Sequence, residues 1–229
     1  VNSDRQHQSK YRRPFASGDL SLIYGFIGAP LLLILGFLIA LWLPTEFFFA
    51  LITYWLMTTA YSLLLKSLFL IDVLTLASLY ACRIIAGSAA ISVVTTYYLL
   101  AFSFFLFLGL AMVKRYTEFL NLQNQGKSFI EGRGYSVENL QTLATIGSGS
   151  GLLAVAVFAF YINAPTTTGL YNNPLLLWAI CPLLLFLLGH IWAIARRGEL
   201  DEDPVLFALT DRRSQITVVV CGLVILLAM

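Results

Sequence analysis

The sequence predicts an all-α integral membrane protein, and three observations support that fold class. Of the 229 residues, 59% are hydrophobic and only 11% are charged. The mean hydropathy of +0.83 lies well outside the usual balance of a soluble domain. Apolar windows also recur at about the 20 residues that cross a bilayer as a helix. Because lipid cannot satisfy exposed strand edges, these windows predict helices.

Seven apolar windows are candidate spans, so we expect a transmembrane bundle of about seven helices. Arg83 interrupts the third window, and the seventh is too short for a full crossing unless neighbouring polar residues extend it. In chain order the windows are 22–43, 47–65, 74–94, 97–113, 143–162, 175–195 and 216–229.

Basic residues occur in alternate connections, and this alternation predicts the orientation. Lys66 follows the second window, and Lys114 and Arg115 follow the fourth, whereas connections 92–96 and 163–173 contain no Lys or Arg. The positive-inside rule therefore places the basic connections and the N-terminal segment in the cytoplasm. Most carboxylates share that face, so any chemistry is expected there.

The first soluble segment concentrates charge beside the first window. One carboxylate, four cations and a histidine lie within the ten residues 4–13. This composition suits a phosphorylated, metal-bound ligand at a membrane face. The alternative is that these cations only fix the orientation of the chain.

Two further polar groups lie at the predicted cytoplasmic ends of spans. Tyr61 precedes Lys66 by little more than one helical turn, which puts a phenol and an ammonium at neighbouring heights. Lys114 and Glu118 are spaced i and i+4, which predicts that they share one face of a helix. A snorkelling cation at the membrane interface is the alternative for each group.

Arg83 lies deep in an apolar window, where a cation costs about 2.5 kcal/mol or more. We therefore expect it to face the bundle interior and to pair with a ligand anion or a carboxylate of another helix. Asp72 lies 11 residues earlier on the same helix, too far along it to be the obvious partner. His190 has no second ligand at metal-binding spacing, so we expect it to make an interhelical contact.

The remaining motifs favour packing. Cys82, Cys181 and Cys221 lie in apolar runs without CxxC spacing and are expected to be core residues. The Gly-Ser-Gly-Ser-Gly run at 147–151 lacks the Lys-Ser/Thr ending of a phosphate loop, so it predicts close helix packing. A membrane transporter stays open as an alternative, because Pro182 and this run interrupt helices.

Five ordered blocks of the chain resemble the UbiA prenyltransferase superfamily. They are similar to one bacterial branch, which includes decaprenyl-phosphate phosphoribosyltransferase and proteins fused to a haloacid-dehalogenase-like domain. The blocks are 4–18 (DRQHQSKYRRPFASG), 60–66 (AYSLLLK), 83–87 (RIIAG), 114–118 (KRYTE) and 203–212 (DPVLFALTDR).

The chain also departs from the family pattern in two places. The first block resembles the end of the motif N-D-x-x-D-x-x-x-D-R-x-H-P, with Asp4 as its last acid and Gln8 in place of the usual proline. No D-x-x-x-D motif follows the fourth span, where Lys114, Arg115 and Glu118 occur instead. The resemblance implies that a phosphoribosyltransferase of this branch uses prenyl phosphate as nucleophile, for which one acidic motif and more cations can suffice. This departure therefore leans toward the phosphoribosyl branch, and ordinary prenyl transfer stays open.

The resemblance implies a fold of nine transmembrane helices around a central cavity. Residues 1–229 are then one UbiA-type domain that lacks its N-terminal two helices, and 1–20 form the cytoplasmic active-site loop. We expect such an N-terminally truncated fragment to be inactive by itself. The resemblance also implies the inner membrane of a bacterium, with the active face cytoplasmic.

The resemblance further implies an isoprenoid-lipid transferase with Mg²⁺ as cofactor. The leading reaction is phosphoribosyl transfer from phosphoribosyl diphosphate to a polyprenyl phosphate. The alternatives are prenyl transfer from a polyprenyl diphosphate to an aromatic acceptor and, in another class, a transporter or non-catalytic scaffold. No nucleic-acid partner is expected.

Each candidate site residue has a role that the resemblance implies. The metal ligand is Asp4. The catalytic residues are Asp4, Lys66 and Tyr61. The residues that bind substrate phosphate are Arg5, Lys10, Arg13, Lys114 and Arg115. The residues that line the cavity are Arg83, Glu118 and Asp72.

Overall fold

Hydrophobic segments of the chain form long helices. The computed structural model describes residues 14–124, 139–200 and 203–229, and in these residues all regular structure is helical. The long helices are α1 (Leu22–Ala40), α2 (Thr45–Leu63), α3 (Ile71–Ala90), α4 (Tyr97–Asn124), α5 (Leu140–Ile162), α6 (Ile180–Arg197) and α7 (Arg212–Ala228). The prediction of an all-α bundle is confirmed, with one long helix at each of the seven apolar windows.

Short helical segments connect the long ones. A 3₁₀ turn at Leu65–Ser67 joins α2 to α3, and a 3₁₀ segment at Pro174–Ala179 leads directly into α6. Further short helices lie at Pro14–Ser17, Pro165–Thr168 and Pro204–Thr210.

Five helical segments are long and apolar enough to cross a membrane within the described part of the chain. They are α1, α3, α4, α5 and the continuous segment Pro174–Arg197. The helix α2 carries Glu46 in its first turn, and α7 has only 17 residues. Since α4 has 28 residues, it is about 42 Å long and extends beyond a hydrocarbon core of about 30 Å.

Several helix ends follow from local sequence. Ser21 caps α1 by accepting a hydrogen bond from the N–H of Ile23. Asp211 caps α7, because its carboxylate accepts from the N–H of Ser214 at 2.8 Å. Gly198 ends α6 with φ of +73°, a left-handed conformation that glycine adopts without strain.

Two apolar clusters hold the helices together. The larger joins α3, α4, α5 and α6 around Met112, Phe119, Leu143 and Trp192. The smaller joins α5, α6 and α7 to the segment Pro174–Ala179. By contrast, α1 packs against α2 and leaves nearly all of its apolar side chains exposed.

The glycine-rich run in α5 lies where neighbouring helices approach closely. A Cβ added to Gly147 would lie 2.4 Å from Cζ2 of Trp192 in α6 and 2.7 Å from Cβ of Met112 in α4. A Cβ added to Gly109 would lie 3.3 Å from the carbonyl oxygen of Gly147. The predicted close helix packing is therefore confirmed, because only a residue without a side chain fits at Gly147.

We expect Gly147→Ala to destabilise the protein by about 1–3 kcal/mol, since the new methyl group forces α4 and α6 away from α5. Gly149→Ala is the matched control in the same helix, because a Cβ there meets no atom within 4 Å. The measurement is the thermal unfolding midpoint of each variant in one detergent. Equal midpoints for the two variants would contradict this packing.

Candidate functional site

A buried hydrogen-bonded network joins α2, α3 and α4 at the end of the bundle that carries Lys66. Arg115 Nε donates to Asp72 Oδ2 at 2.5 Å, and Nη2 donates to Asp72 Oδ1 at 3.2 Å. The Tyr61 hydroxyl donates to the same Oδ1 at 2.7 Å. Arg115 Nη1 donates to Glu118 Oε2 at 2.6 Å. Three helices therefore meet at one carboxylate.

The local sequence explains how these side chains meet. Tyr61 lies in the last turn of α2, and Asp72 lies in the first turn of α3, where the helix dipole favours a negative charge. Arg115 and Glu118 lie on α4 at i and i+3, so they share a face of that helix. The short 3₁₀ turn between α2 and α3 brings the first two residues opposite α4.

The network is well shielded from solvent at its centre. The side chain of Asp72 is 0% exposed and that of Arg115 is 4% exposed, whereas that of Glu118 is 33% exposed. Two parallel hydrogen bonds from a guanidinium to a carboxylate form the strongest type of ion pair. Removing either partner would leave an uncompensated buried charge.

The structure gives Arg115 a different place from the one predicted. Arg115 was predicted to bind substrate phosphate, but its guanidinium donates to Asp72, to Glu118 and, at 3.3 Å, to the hydroxyl of Tyr61. These bonds make it the centre of a protein ion-pair network. Asp72, predicted at the cavity rim, is instead fully buried.

Lys114 forms a second ion pair away from this network. Its Nζ lies 2.6 Å from Oδ2 of Asp203, and both side chains are 43% exposed. Asp203 also caps the helix Pro204–Thr210 by accepting from the N–H of Val205. No role is predicted for Asp203 from the sequence, although Asp before Pro is a helix-start signal that locates the cap. Nothing in the neighbouring sequence indicates that Asp203 pairs with Lys114 of α4.

Lys66 is exposed at the 3₁₀ turn between Tyr61 and Asp72. Throughout residues 14–124, 139–200 and 203–229 no carboxylate pairs with it. An unpaired ammonium beside a rigid network is suited to binding an anionic group.

Arg83 also differs from its prediction. It is exposed, and its partner is a tyrosine of α2 rather than a carboxylate: Nε and Nη2 donate to the Tyr54 hydroxyl at 3.0 and 2.5 Å. Its guanidinium carbon lies 5.2 Å from the ring centroid of Tyr54 and 5.4 Å from that of Tyr80. His190 makes the expected interhelical contact, with Nε2 3.2 Å from Oδ2 of Asp211.

The predicted residues of the N-terminal loop lie outside the described residues. They are Asp4, Arg5, Lys10 and Arg13. In the described part of the chain, no three His, Cys, Asp or Glu residues are grouped so that they could hold a metal ion. Both oxygens of Asp72 are also engaged by Arg115 and Tyr61, so the described site does not by itself fit Mg²⁺.

Residues 1–210 match the UbiA prenyltransferase family, and the chain belongs to it. Members of this family are transferases that act on polyprenyl phosphate lipids and generally use Mg²⁺. The site described above thus lies in an integral-membrane protein of the prenyltransferase class.

Several curated proteins are similar along nearly the whole chain. The uncharacterised protein y4nM of Sinorhizobium fredii is 32% identical over 93% of the chain, and the nodulation protein NoeC of Azorhizobium caulinodans is 28% identical over 98%. The decaprenyl-phosphate phosphoribosyltransferase of Mycolicibacterium smegmatis is 24% identical over 94%. The chain spans 42%, 74% and 69% of the lengths of these three proteins, respectively.

We expect Asp72→Asn to destabilise the protein by about 3–5 kcal/mol, because it leaves the buried charge of Arg115 without its main partner. Asp203→Asn is the matched control, since it makes the same chemical change in an exposed ion pair worth at most about 1 kcal/mol. Thermal unfolding in detergent measures both effects. If the two variants lost a similar amount of stability, burial would not determine the cost of removing the carboxylate charge.

The pH dependence of stability tests the Lys114–Asp203 pair. Burial raises the pKa of Asp203, but the hydrogen bond from Lys114, the N–H of Val205 and the charge of Lys114 outweigh it, so the pKa lies below its ordinary value of 3.8. The Asp203 carboxylate then binds a proton less readily in the folded state than in the unfolded state. The stabilisation that this group contributes is therefore present above its ordinary pKa and is lost as the pH falls below it.

Between pH 6 and pH 3, we expect the unfolding midpoint of the wild-type protein to fall more than that of Asp203→Asn, which cannot titrate at this position. The difference should be small, because the pair is exposed. Parallel curves for the two proteins would contradict the lowered pKa.

Proposed function

We propose that the protein transfers a phosphoribosyl group from phosphoribosyl diphosphate to a polyprenyl phosphate, at the cytoplasmic face of a bacterial inner membrane. In this proposal, residues 1–229 belong to one UbiA-type domain, and 1–20 are its active-site loop. The chain of the acceptor lipid lies in the bilayer, so a protein that acts on this lipid needs a bundle embedded in the membrane.

The exposed ammonium of Lys66 is the observation that carries the proposal. It lies on the 3₁₀ turn Leu65–Ser67, whose two flanking helices are fixed by the hydrogen bond between Tyr61 and Asp72. A phosphate-transferring site needs cations at defined positions, because the charge on the leaving diphosphate must be stabilised as the bond breaks. A rigid turn supplies that position without reorganisation.

The charge balance at the end of α4 supports phosphoribosyl transfer over ordinary prenyl transfer. Two cations and one carboxylate occur at 114–118, where a typical prenyltransferase of the family has a second acidic motif. Two relatives with 24% identity are named decaprenyl-phosphate phosphoribosyltransferase, which agrees with this assignment.

In the proposed reaction, a phosphate oxygen of the lipid attacks the anomeric carbon of the ribose. The new C–O bond forms as the bond from that carbon to the diphosphate oxygen breaks, and the diphosphate leaves with its electron pair. Mg²⁺, when bound, neutralises diphosphate charge. We keep Mg²⁺ in the proposal because the family generally uses it, with Asp4 as the proposed ligand.

The contacts described above support the following proposed roles. Lys66 binds phosphate oxygens together with Arg5, Lys10 and Arg13 of the loop. Lys114 lies on α4, next to Arg115. Arg115 and Tyr61 hold Asp72 and thereby position the turn that carries Lys66. We therefore propose Arg115 as a positioning residue, because its donors are engaged by protein carboxylates.

The test is a transfer assay on the full-length protein that contains this chain. Purified protein is incubated with Mg²⁺, labelled phosphoribosyl diphosphate and a polyprenyl phosphate. We expect a labelled lipid product that a chelator abolishes. If instead only a polyprenyl diphosphate and an aromatic acceptor give product, the reaction is ordinary prenyl transfer. Lack of turnover in both assays by folded protein would favour a transporter or scaffold.

Within that assay, we expect Lys66→Ala and Asp4→Asn each to lower turnover by about 100-fold or more. Lys66→Ala removes a positive charge complementary to the diphosphate, and Asp4→Asn removes the carboxylate proposed to bind Mg²⁺. Arg213→Gln is the control, since Arg213 is an exposed cation at the start of α7, away from the network. Wild-type turnover in both site variants would refute the assigned roles.

A further inference from the structure

The connection between α6 and α7 turns back toward the middle of the bundle. Gly198 ends α6 beside α4, since a Cβ added there would lie 3.6 Å from Cδ2 of Leu120. Asp203 follows in the same connection and pairs with Lys114 of α4. Because Lys114 lies about 9 Å before Leu120 along that helix, Asp203 is nearer to the middle of the bundle than Gly198.

The same connection lies deeper still where α7 begins. Nε2 of His190 is 3.2 Å from Oδ2 of Asp211, and the rings of His190 and Phe207 are 5.9 Å apart. His190 lies about 10 Å before Arg197, the last residue of α6. Side chains lean toward the N-terminus of their helix, so the His190 ring does not extend toward Arg197. The start of α7 therefore lies well inside the level at which α6 ends.

The lengths of the two helical segments agree with this placement. The N–H of Asn173 donates to the carbonyl oxygen of Ala228 at 3.0 Å, so the far end of α7 is level with the start of the segment Pro174–Arg197. The 6 residues of 3₁₀ helix and 18 of α-helix in that segment rise about 39 Å. The 17 residues of α7 rise only about 25 Å. Since a hydrocarbon core is about 30 Å thick, α7 begins below the headgroups.

The short helix of this connection, Pro204–Thr210, is apolar on two faces. One face packs on the bundle, where Phe207 contacts the larger apolar cluster. The other face carries Val205, Leu206 and Leu209, which are 41%, 44% and 66% exposed. Their i, i+3 and i+4 spacing makes them neighbours on the helix surface. Contact with water at this second face would be unfavourable, because its exposed side chains are all apolar.

The polar groups at the end of this helix are satisfied by the chain itself. The carbonyl oxygen of Phe207 accepts from the N–H of Asp211 at 2.8 Å. That of Leu209 accepts from Nε2 of Gln215 at 2.7 Å. The Asp211 carboxylate accepts from both the N–H and the hydroxyl of Ser214. Irregular backbone at membrane depth is stable only when such partners replace water, so these bonds suit the connection to a place inside the bilayer.

We propose that the helix Pro204–Thr210 is re-entrant and that Val205, Leu206 and Leu209 contact the acyl chains of the leaflet in which α6 ends. Lipid is the occupant that the depth predicts, because acyl chains surround the bundle at that level. The exposed cation Arg212, at the start of α7, is compatible with this depth. Its side chain leans toward the helix N-terminus and thus toward the headgroups. This lipid contact is independent of the transfer reaction.

Spin labels measure the depth of this face in the full-length protein that contains this chain. The native cysteines are replaced by alanine, one label is attached at Leu209→Cys, and the protein is reconstituted in phosphatidylcholine vesicles. O₂ concentrates among acyl chains and a nickel chelate stays in water, so their collision rates with the label report its depth. We expect the label to lie about 5–10 Å below the phosphates. Glu199→Cys, at an exposed position of the same connection, is the control and should collide mainly with the nickel chelate.

The collision rates separate lipid from the other possible neighbours of this face. Frequent collisions with O₂ and few with the nickel chelate at Leu209→Cys support contact with acyl chains. If the label collides with the nickel chelate as often as the control label does, the face meets water and the proposal fails. Protection from both reagents would show that protein covers the face, which also overturns it. If Leu209→Cys does not fold, Val205→Cys tests the same face, with a shallower depth expected because it lies nearer to Asp203.

Discussion

The ion pair between Asp72 and Arg115 is the interaction on which the polar end of the bundle depends. A fully buried carboxylate is stable only when its oxygens are paired, and here Arg115 and Tyr61 occupy both. Because the three residues come from three helices, their hydrogen bonds fix the relative heights of α2, α3 and α4. Because the 3₁₀ turn that carries Lys66 joins α2 to α3, these relative heights also fix the position of that turn.

The apolar part of the bundle is fixed by shape instead of charge. At Gly147 the backbone of α5 lies against Met112 and Trp192, and the larger apolar cluster surrounds that contact. Interiors packed at such density transmit small displacements. The charged network and the glycine contact therefore act on the same helix, since α4 carries both Arg115 and Met112.

The sequence predicted the helices well and the site only in part. Apolar windows locate helices because membrane burial depends on composition, but the last three turns of α4 mix charged and apolar residues and no window included them. The spacing of Lys114 and Glu118 predicts only a shared helix face, and in the structure Lys114 contacts Asp203 and Glu118 contacts Arg115. These partners depend on how helices pack, which a single sequence does not encode locally.

The contact at Gly147 also determines where the bundle can open. There the backbone of α5 meets Met112 of α4 and Trp192 of α6, so these three helices separate only by leaving a gap in the larger apolar cluster. The packing of α1 is confined largely to α2, so α1 can be displaced with little loss of either apolar cluster.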